Sequence, residues 1–380
     1  MSKFYTLVIN VLSVCICQFT KVQFNRIPGQ TLFGATRIRI IKRIGCPVAV
    51  LLLMNMCSYG QDPSFSQFFS SPLNVNPALT ANINADWRVI SNIRNQWVGL
   101  ASPYATGTIS YDTKIMKNEY QDVSENNFLG LGGMLIYDRA MSGTVKSTYA
   151  SLDLSYNITL AEDDNSNKHR LGVGFGATYI RKSVDFSKLD FEDQFTGSDF
   201  NTDLPTGECF LSNTKPFVSA SAGMVYSYST EKSNLDMGIA TFHVNKPKQT
   251  YLKDPNQYLA MRSVAHINFE TFINDRVVLN SNGIYQTQAK ASYLSIGSAL
   301  GYYLYEGEET MITGGLWYSS KNAIIPYAGI AYKDFQFGLT YDATISKLAT
   351  SSVPHLSTFE LSIIFRGKKK PSGNIPCPWK

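Results

Sequence analysis

The sequence predicts an all-β protein, a transmembrane antiparallel β-barrel of about 14 strands with a short N-terminal plug or cap segment. Three observations carry that prediction. Hydrophobicity alternates with a two-residue period in segment after segment, which strands do and helices cannot. Most of these segments run 10 to 15 residues, longer than globular strands and long enough for a tilted strand to cross a hydrocarbon layer. Charged residues make up 17% of the 380-residue chain, against roughly 25% in soluble domains. Tyr and Phe, by contrast, number 22 each. Long apolar runs occur only in the first 60 residues, which excludes a polytopic helical membrane protein.

Residues 1–60 read as a leader and signal peptide cleaved after Gly60. They hold seven basic residues and no Asp or Glu; Arg37 to Arg43 is a positive n-region and Val48 to Met56 a short leucine-rich apolar run. Small residues Ser58 and Gly60 precede Gln61, as a signal peptidase requires. The apolar run is too short for a transmembrane anchor, and Met56 before Cys57 is too large for a lipidation site. A second apolar stretch, Phe4 to Phe19, leaves the true start codon open. Removing the leader leaves 27 basic against 29 acidic residues, so +5 becomes −2, and two of six cysteines remain. Cys209 and Cys377 fall in an outer loop and an inner tail, too far apart to bond within one barrel.

Residues 61–80 are rich in Pro, Asn, Ser and Phe without a clean period and read as the plug or periplasmic segment. The barrel follows over 81–366 and a periplasmic tail over 367–380. Alternation places strands near 86–97, 104–113, 128–139, 146–159, 169–183, 216–229, 235–245, 260–273, 276–287, 291–305, 310–319, 324–333, 335–346 and 357–366. In Tyr149 to Ile158, Leu152, Leu154 and Tyr156 share one face while Ser151, Asp153, Ser155 and Asn157 share the other. The even strand number puts both ends of the chain on the periplasmic side. Long connections at 184–215, 246–259 and 347–356 fall outside, tight turns at Asn274-Asp275 and Lys333-Asp334 inside. Trp and Tyr at segment ends, such as Trp87, Trp97, Tyr104 and Trp317-Tyr318, suit interfacial girdles against outer-membrane lipid.

Both ends of the mature chain carry recognisable motifs. Gln61-Asp-Pro-Ser-Phe-Ser-Gln-Phe-Phe69, Ser71-Pro-Leu-Asn-Val-Asn-Pro-Ala78 and Arg94-Asn-Gln-Trp97 open it; Phe337-Gly-Leu-Thr-Tyr-Asp342, Thr344-Ile-Ser-Lys-Leu348, Phe359 to Phe365 and Cys377-Pro378 close it. Together they resemble the PorP/SprF family of Bacteroidota outer-membrane proteins. The resemblance departs at the extreme terminus, where Trp379-Lys380 reverses the family's basic-then-aromatic order. It implies a role in the type IX secretion system, in which such barrels support secretion and cell-surface attachment of large adhesins, including those of gliding motility. The implied partners are a secreted adhesin with a type IX C-terminal domain and other type IX components.

The motif residues also carry structural expectations. Asn76 and Pro77 suit a tight turn. Arg94 and Gln96 should point into the lumen, with Asn95 and Trp97 on the other face, and Asp112 or Asp342 is available by type to pair with Arg94. Arg94, Asn95, Gln96, Trp97, Tyr341 and Asp342 thus form a candidate structural or partner-binding set, in which an ion pair holding the plug and a cargo contact both remain open. Residues 185–208 mix acids with aromatics; Phe191, Glu192, Asp193, Phe195, Asp199 and Phe200 mark either a solvated loop or a cargo-docking surface. Lys368 to Lys370 reads as a solvated stop after the last strand.

Catalytic signals are sparse. His169, His243, His266 and His355 show no metal-ligand spacing, and no nucleophile elbow, P-loop or zinc motif occurs. Gly172-Val-Gly-Phe-Gly176 lies within a strand pattern and is not a nucleotide loop. The expectation is a non-enzymatic protein without cofactor, metal or nucleic-acid partner. A channel for hydrophobic or small solutes is the alternative function, and an outer-membrane enzyme the third.

Overall fold

The computed structural model describes residues 61–98, 103–115, 127–162, 167–207, 214–249, 257–304, 309–321, 323–345 and 357–367. The leader, Cys209, Lys368 to Lys370, Cys377 and nearly all of the C-terminal tail lie outside the described residues. Within the rest, 14 antiparallel strands close into one barrel. They are β1 (Trp87–Val98), β2 (Tyr104–Ile115), β3 (Phe128–Ala140), β4 (Val145–Glu162), β5 (Lys168–Val184), β6 (Phe217–Ser229) and β7 (Ser233–Phe242). The second half comprises β8 (Arg262–Asn274), β9 (Val277–Gln288), β10 (Ala291–Tyr303), β11 (Thr310–Ser319), β12 (Ala323–Tyr332), β13 (Phe335–Thr344) and β14 (Ser357–Arg366). Each strand pairs with its sequence neighbours, and β1 closes the ring against β14 from Arg88 opposite Arg366 to Val98 opposite Ser357. No helix among the described residues is long and apolar enough to cross a membrane.

The wall is inside out relative to a soluble sheet. On β4, Leu152 is 69% exposed while Ser155 and Asn157 are at most 1% exposed. Outward positions carry Ile109, Leu135, Phe175, Ile239, Leu300 and Leu339, all exposed, which is the apolar band a barrel presents to lipid. Inward positions carry Ser, Thr, Asn, Gln and a few charges, with apolar residues such as Val225, Ile284 and Trp317 among them. Closure pairs every edge, so no strand presents bare N–H and C=O groups to hydrocarbon.

Turn chemistry sets the register at the short connections. At 275–276, Asn274 Oδ1 accepts from the N–H groups of both Arg276 and Val277, each at 2.9 Å, an Asx turn. The 289–290 turn runs through positive φ at Ala289 and Lys290, as a two-residue hairpin requires. The long connections 185–216, 243–261 and 345–356 all lie at one end of the barrel; the other end has 230–232, 275–276 and 333–334, with 116–127 as its longest. Outward aromatics gather near the rims: Trp97 meets Tyr104 at 5.0 Å between centroids, and Phe335 stacks on Phe365 at 4.3 Å.

The lumen is filled by residues 62–86. Their hydrophobic side chains pack on inward residues of the wall: Phe68, Val75, Ala78 and Leu79 against Val225, Val264, Ile284 and Trp317, and Leu73 against Met134, Ile136 and Ile180. Phe69 stacks on Trp317 at 5.0 Å and meets Tyr327 edge-on at 5.6 Å. One expectation is corrected here. The two ends of the described chain do not share a side: Asp62 contacts His243, Arg262 and Gln288 at the long-loop end, whereas the Gly367 N–H donates to Trp87 O at the opposite rim. The reason is that the segment crosses the whole lumen before it turns into β1.

Candidate functional site

The densest polar chemistry of the molecule lies where the luminal segment meets the wall. The segment has no long helix of its own: a 3₁₀ turn (Phe68–Ser70), an α-turn (Pro72–Val75) and a second 3₁₀ turn (Pro77–Leu79) follow one another. Pro72 and Pro77 each occupy the first position of a turn, where the missing N–H costs nothing. Asn76 joins the last two: its side chain accepts from Ala78 N at 2.9 Å. Turns this short leave most backbone groups unpaired, so the wall must satisfy them.

It does so at three levels. At the long-loop end, Asp62 Oδ2 lies 2.6 Å from His243 Nε2 and 3.4 Å from Arg262 Nε, and the Asp62 N–H donates to Gln288 Oε1 at 2.9 Å. Burial alone would raise the Asp62 carboxyl, but the His243 hydrogen bond and the Arg262 and His243 charges outweigh it and hold the group well below the usual carboxylate range. Next, Glu360 accepts from the N–H groups of Ser66 (2.7 Å) and Gln67 (2.8 Å), and Ser66 Oγ donates to Asp342 Oδ2 at 2.6 Å. Arg94 bridges the two acids, 3.1 Å from Glu360 and 3.5 Å from Asp342, and donates to Ser64 O. Near the other end, Asp112 is fully buried; it takes Arg88 bidentately at 3.0 and 2.7 Å and also accepts from Ala81 N at 2.7 Å.

Between the last two levels the wall makes room by lacking side chains. A Cβ on Gly174 would collide with the backbone of Pro77 and Ala78, and one on Gly223 or Gly238 with the Asn76 amide. Asn76, fully buried, uses the space to donate to Met224 O at 3.0 Å and Ile239 O at 3.2 Å. Gly174 of β5, Gly223 of β6 and Gly238 of β7 thus open a groove for the segment.

The predicted residues fall into three places. Asn76, Pro77, Arg94 and Asp342 are at this interface. Of the two acids available to Arg94, Asp342 is beside it and Asp112 serves Arg88 instead. Asn95, Trp97 and Tyr341 face outward; Gln96 is half-buried, and Tyr341 packs on Phe359 at 4.9 Å. Phe191, Glu192, Asp193, Phe195, Asp199 and Phe200 lie on the 185–216 connection. There Phe195 and Phe200 pair as an isolated bridge with rings 5.1 Å apart and about half exposed. Gln194 folds beneath them, donating to Leu204 O at 3.0 Å.

Glu360, Asp62, His243 and Arg262 escaped sequence reasoning. Glu360 had a signal, since it is the lone acid on the polar face of Ser357 to Arg366. The other three are spread over more than 180 residues and share no local pattern. Ser219 Oγ sits 2.6 Å from His243 Nδ1, completing a Ser-His-Asp row. Ser219 is only 2% exposed and the carboxylate is shared with Arg262, so the row clamps the arm to the wall. Among the described residues no group of three His, Cys, Asp or Glu could hold a metal.

Several solved structures are similar to this chain. They include CdiB from Acinetobacter baumannii (8% identity, TM-score 0.38, 74% of this chain and 60% of that one). The P. putida toluene transporter TodX matches at 8% identity and TM-score 0.43, covering 78% and 93%. The translocator domain of the autotransporter NalP from Neisseria meningitidis matches at 9% and 0.33, covering 89% and 100%. The chain therefore spans about 60% of the length of CdiB. No curated protein matches it. The family model described as type IX secretion system membrane protein PorP/SprF matches residues 57–365, and with that span covering nearly all of the barrel and its luminal segment, the chain belongs to the PorP/SprF family.

Proposed function

We propose that this protein is the non-enzymatic outer-membrane barrel through which a type IX secretion system supports the secretion and cell-surface attachment of a large adhesin-like cargo, as in gliding motility. The family supplies the secretion context. The observation that carries the finer reading is the filled lumen. A barrel whose interior is occupied by its own chain, anchored at three levels by buried acids, is suited to hold partners on its rims rather than to pass them through. In this orientation the long connections face outward and offer the acidic, aromatic hairpin Phe191 to Leu204 to a cargo carrying a type IX C-terminal domain. The short turns face the periplasm, where the other type IX components lie. The Phe195–Phe200 pair, exposed yet ordered on its own hairpin, supports docking over simple solvation.

The alternative, a channel for hydrophobic or small solutes, has less support. Two cavities between segment and wall hold about 30 Å³ each, room for roughly two waters. Affinity isolation from native outer membrane, with bound partners identified, tests the reading; an adhesin C-terminal region and other secretion components are expected. Deleting residues 188–206 should leave the barrel assembled and reduce surface cargo. Unchanged cargo display in that deletion would remove the hairpin from the proposal, and absence of any secretion partner would remove the proposal itself.

A further inference from the structure

The grip on Asp62 has the features of a receptor, and its present occupant fills it incompletely. His243 is fixed from behind by Ser219 Oγ at 2.6 Å and sits on strained backbone with φ +59°, a cost that surrounding structure must hold in place. Arg262 lies over the Phe242 ring, 4.0 Å from its centroid, and donates to Asn74 O at 3.0 Å. His243 and Arg262 are at most 5% exposed, so two cationic or protonatable donors are preorganised on one point of the wall. Gln288 adds an acceptor for a backbone N–H. Together these groups recognise an acidic residue in an extended peptide, through its N–H and its carboxylate.

The occupant leaves part of the site unused. Asp62 Oδ1 and Arg262 Nε are both buried and make no hydrogen bond, the Nε standing off at 3.4 Å from Oδ2. Unmade bonds of buried groups are costly, and a guanidinium binds a carboxylate best when two parallel N–H groups reach both oxygens. Beyond Asp62, the arm is held only by polar contacts, Asn74 Nδ2 donating to Pro63 O at 3.2 Å and Arg94 to Ser64 O. Gln61 is exposed, residues 61–65 have no regular structure, and the apolar anchors begin only at Phe65.

We propose that His243, Arg262 and Gln288 form an exchangeable receptor for an acidic residue of an extended peptide, with Asp62 as its resident placeholder. A partner strand carrying Asp or Glu, and able to reach both Arg262 nitrogens, displaces the arm while the rest of the plug stays seated. The site is independent of the cargo hairpin.

The test uses the full-length protein in detergent and a fluorescent peptide of the arm's own sequence, Gln-Asp-Pro-Ser-Phe, read by anisotropy. The Asp62→Asn variant should bind it saturably, at least tenfold more tightly than the wild type, whose own arm competes. A peptide with Asn for Asp should lose that binding, as should Arg262→Gln or His243→Gln added to Asp62→Asn. Heat-modifiable gel migration checks that each variant is folded, and the Asn peptide keeps the test valid on Asp62→Asn alone. Equal binding of the Asp and Asn peptides, or no binding to Asp62→Asn, would overturn the proposal.

Discussion

The wall and the luminal segment of this barrel are stabilised in opposite ways. The wall repeats one device over most of its length, apolar residues outward and mostly small or polar ones inward, with backbone bonds shared between two neighbours. The segment instead hangs on a few carboxylates, one bidentate arginine and a groove of glycines. A distributed structure tolerates local loss; a concentrated one does not. Buried ion pairs add little net stability over apolar packing, but removing one partner strands the other charge. They therefore fix where the segment lies more than how strongly the barrel holds.

The sharpest way to break this contrast is Asp112→Ala. It leaves Arg88 buried without its acid and the Ala81 N–H unmet, and should cost about 3–5 kcal/mol in urea unfolding of the detergent-solubilised barrel. Gly174→Val comes next, since its side chain would enter the backbone of Pro77 and Ala78. Overpacking of this kind costs about 1–3 kcal/mol, and proteolysis between residues 61 and 86 should report a displaced segment with the strands intact.

Acid supplies a third test. Because the folded Asp62 value is depressed, its contribution is fully present above the unfolded value near 3.8 and is lost as pH falls through the lower folded one. Thermal stability should drop below that point, and the drop should be smaller in Asp62→Asn. The least effect is expected on the lipid face, where Leu152→Val removes one methylene and should shift stability by less than about 1 kcal/mol. A larger loss there than at Asp112 would reverse the comparison.

The same contrast explains what could be read in the sequence. Alternation is local, so strand positions such as 310–319 and 357–366 coincide with β11 and β14. Elsewhere boundaries moved by one to three residues, as at the end of β10, placed at 305 by pattern and at Tyr303 in the structure. The inward face was legible as glycine and small polar residues, but what those glycines face was not. A close approach between Gly174 and Ala78 joins residues about a hundred positions apart and leaves no periodic trace. Arg94 was visible because its motif is contiguous; its nearest acid, Glu360, is 266 positions away and becomes a neighbour only because β1 meets β14.

That last junction has a consequence for assembly. Ser66 and Gln67, made well before any strand, receive their backbone acceptor from Glu360, on the last strand made. Contacts at such separation form late and carry a high entropic cost before they return anything. Sealing the ring and seating the segment are therefore one event: until β14 arrives, neither the open edge of β1 nor the amides of Ser66 and Gln67 have partners. A chain shortened before Ser357 should then accumulate as an unsealed, protease-sensitive intermediate instead of a slightly weaker barrel.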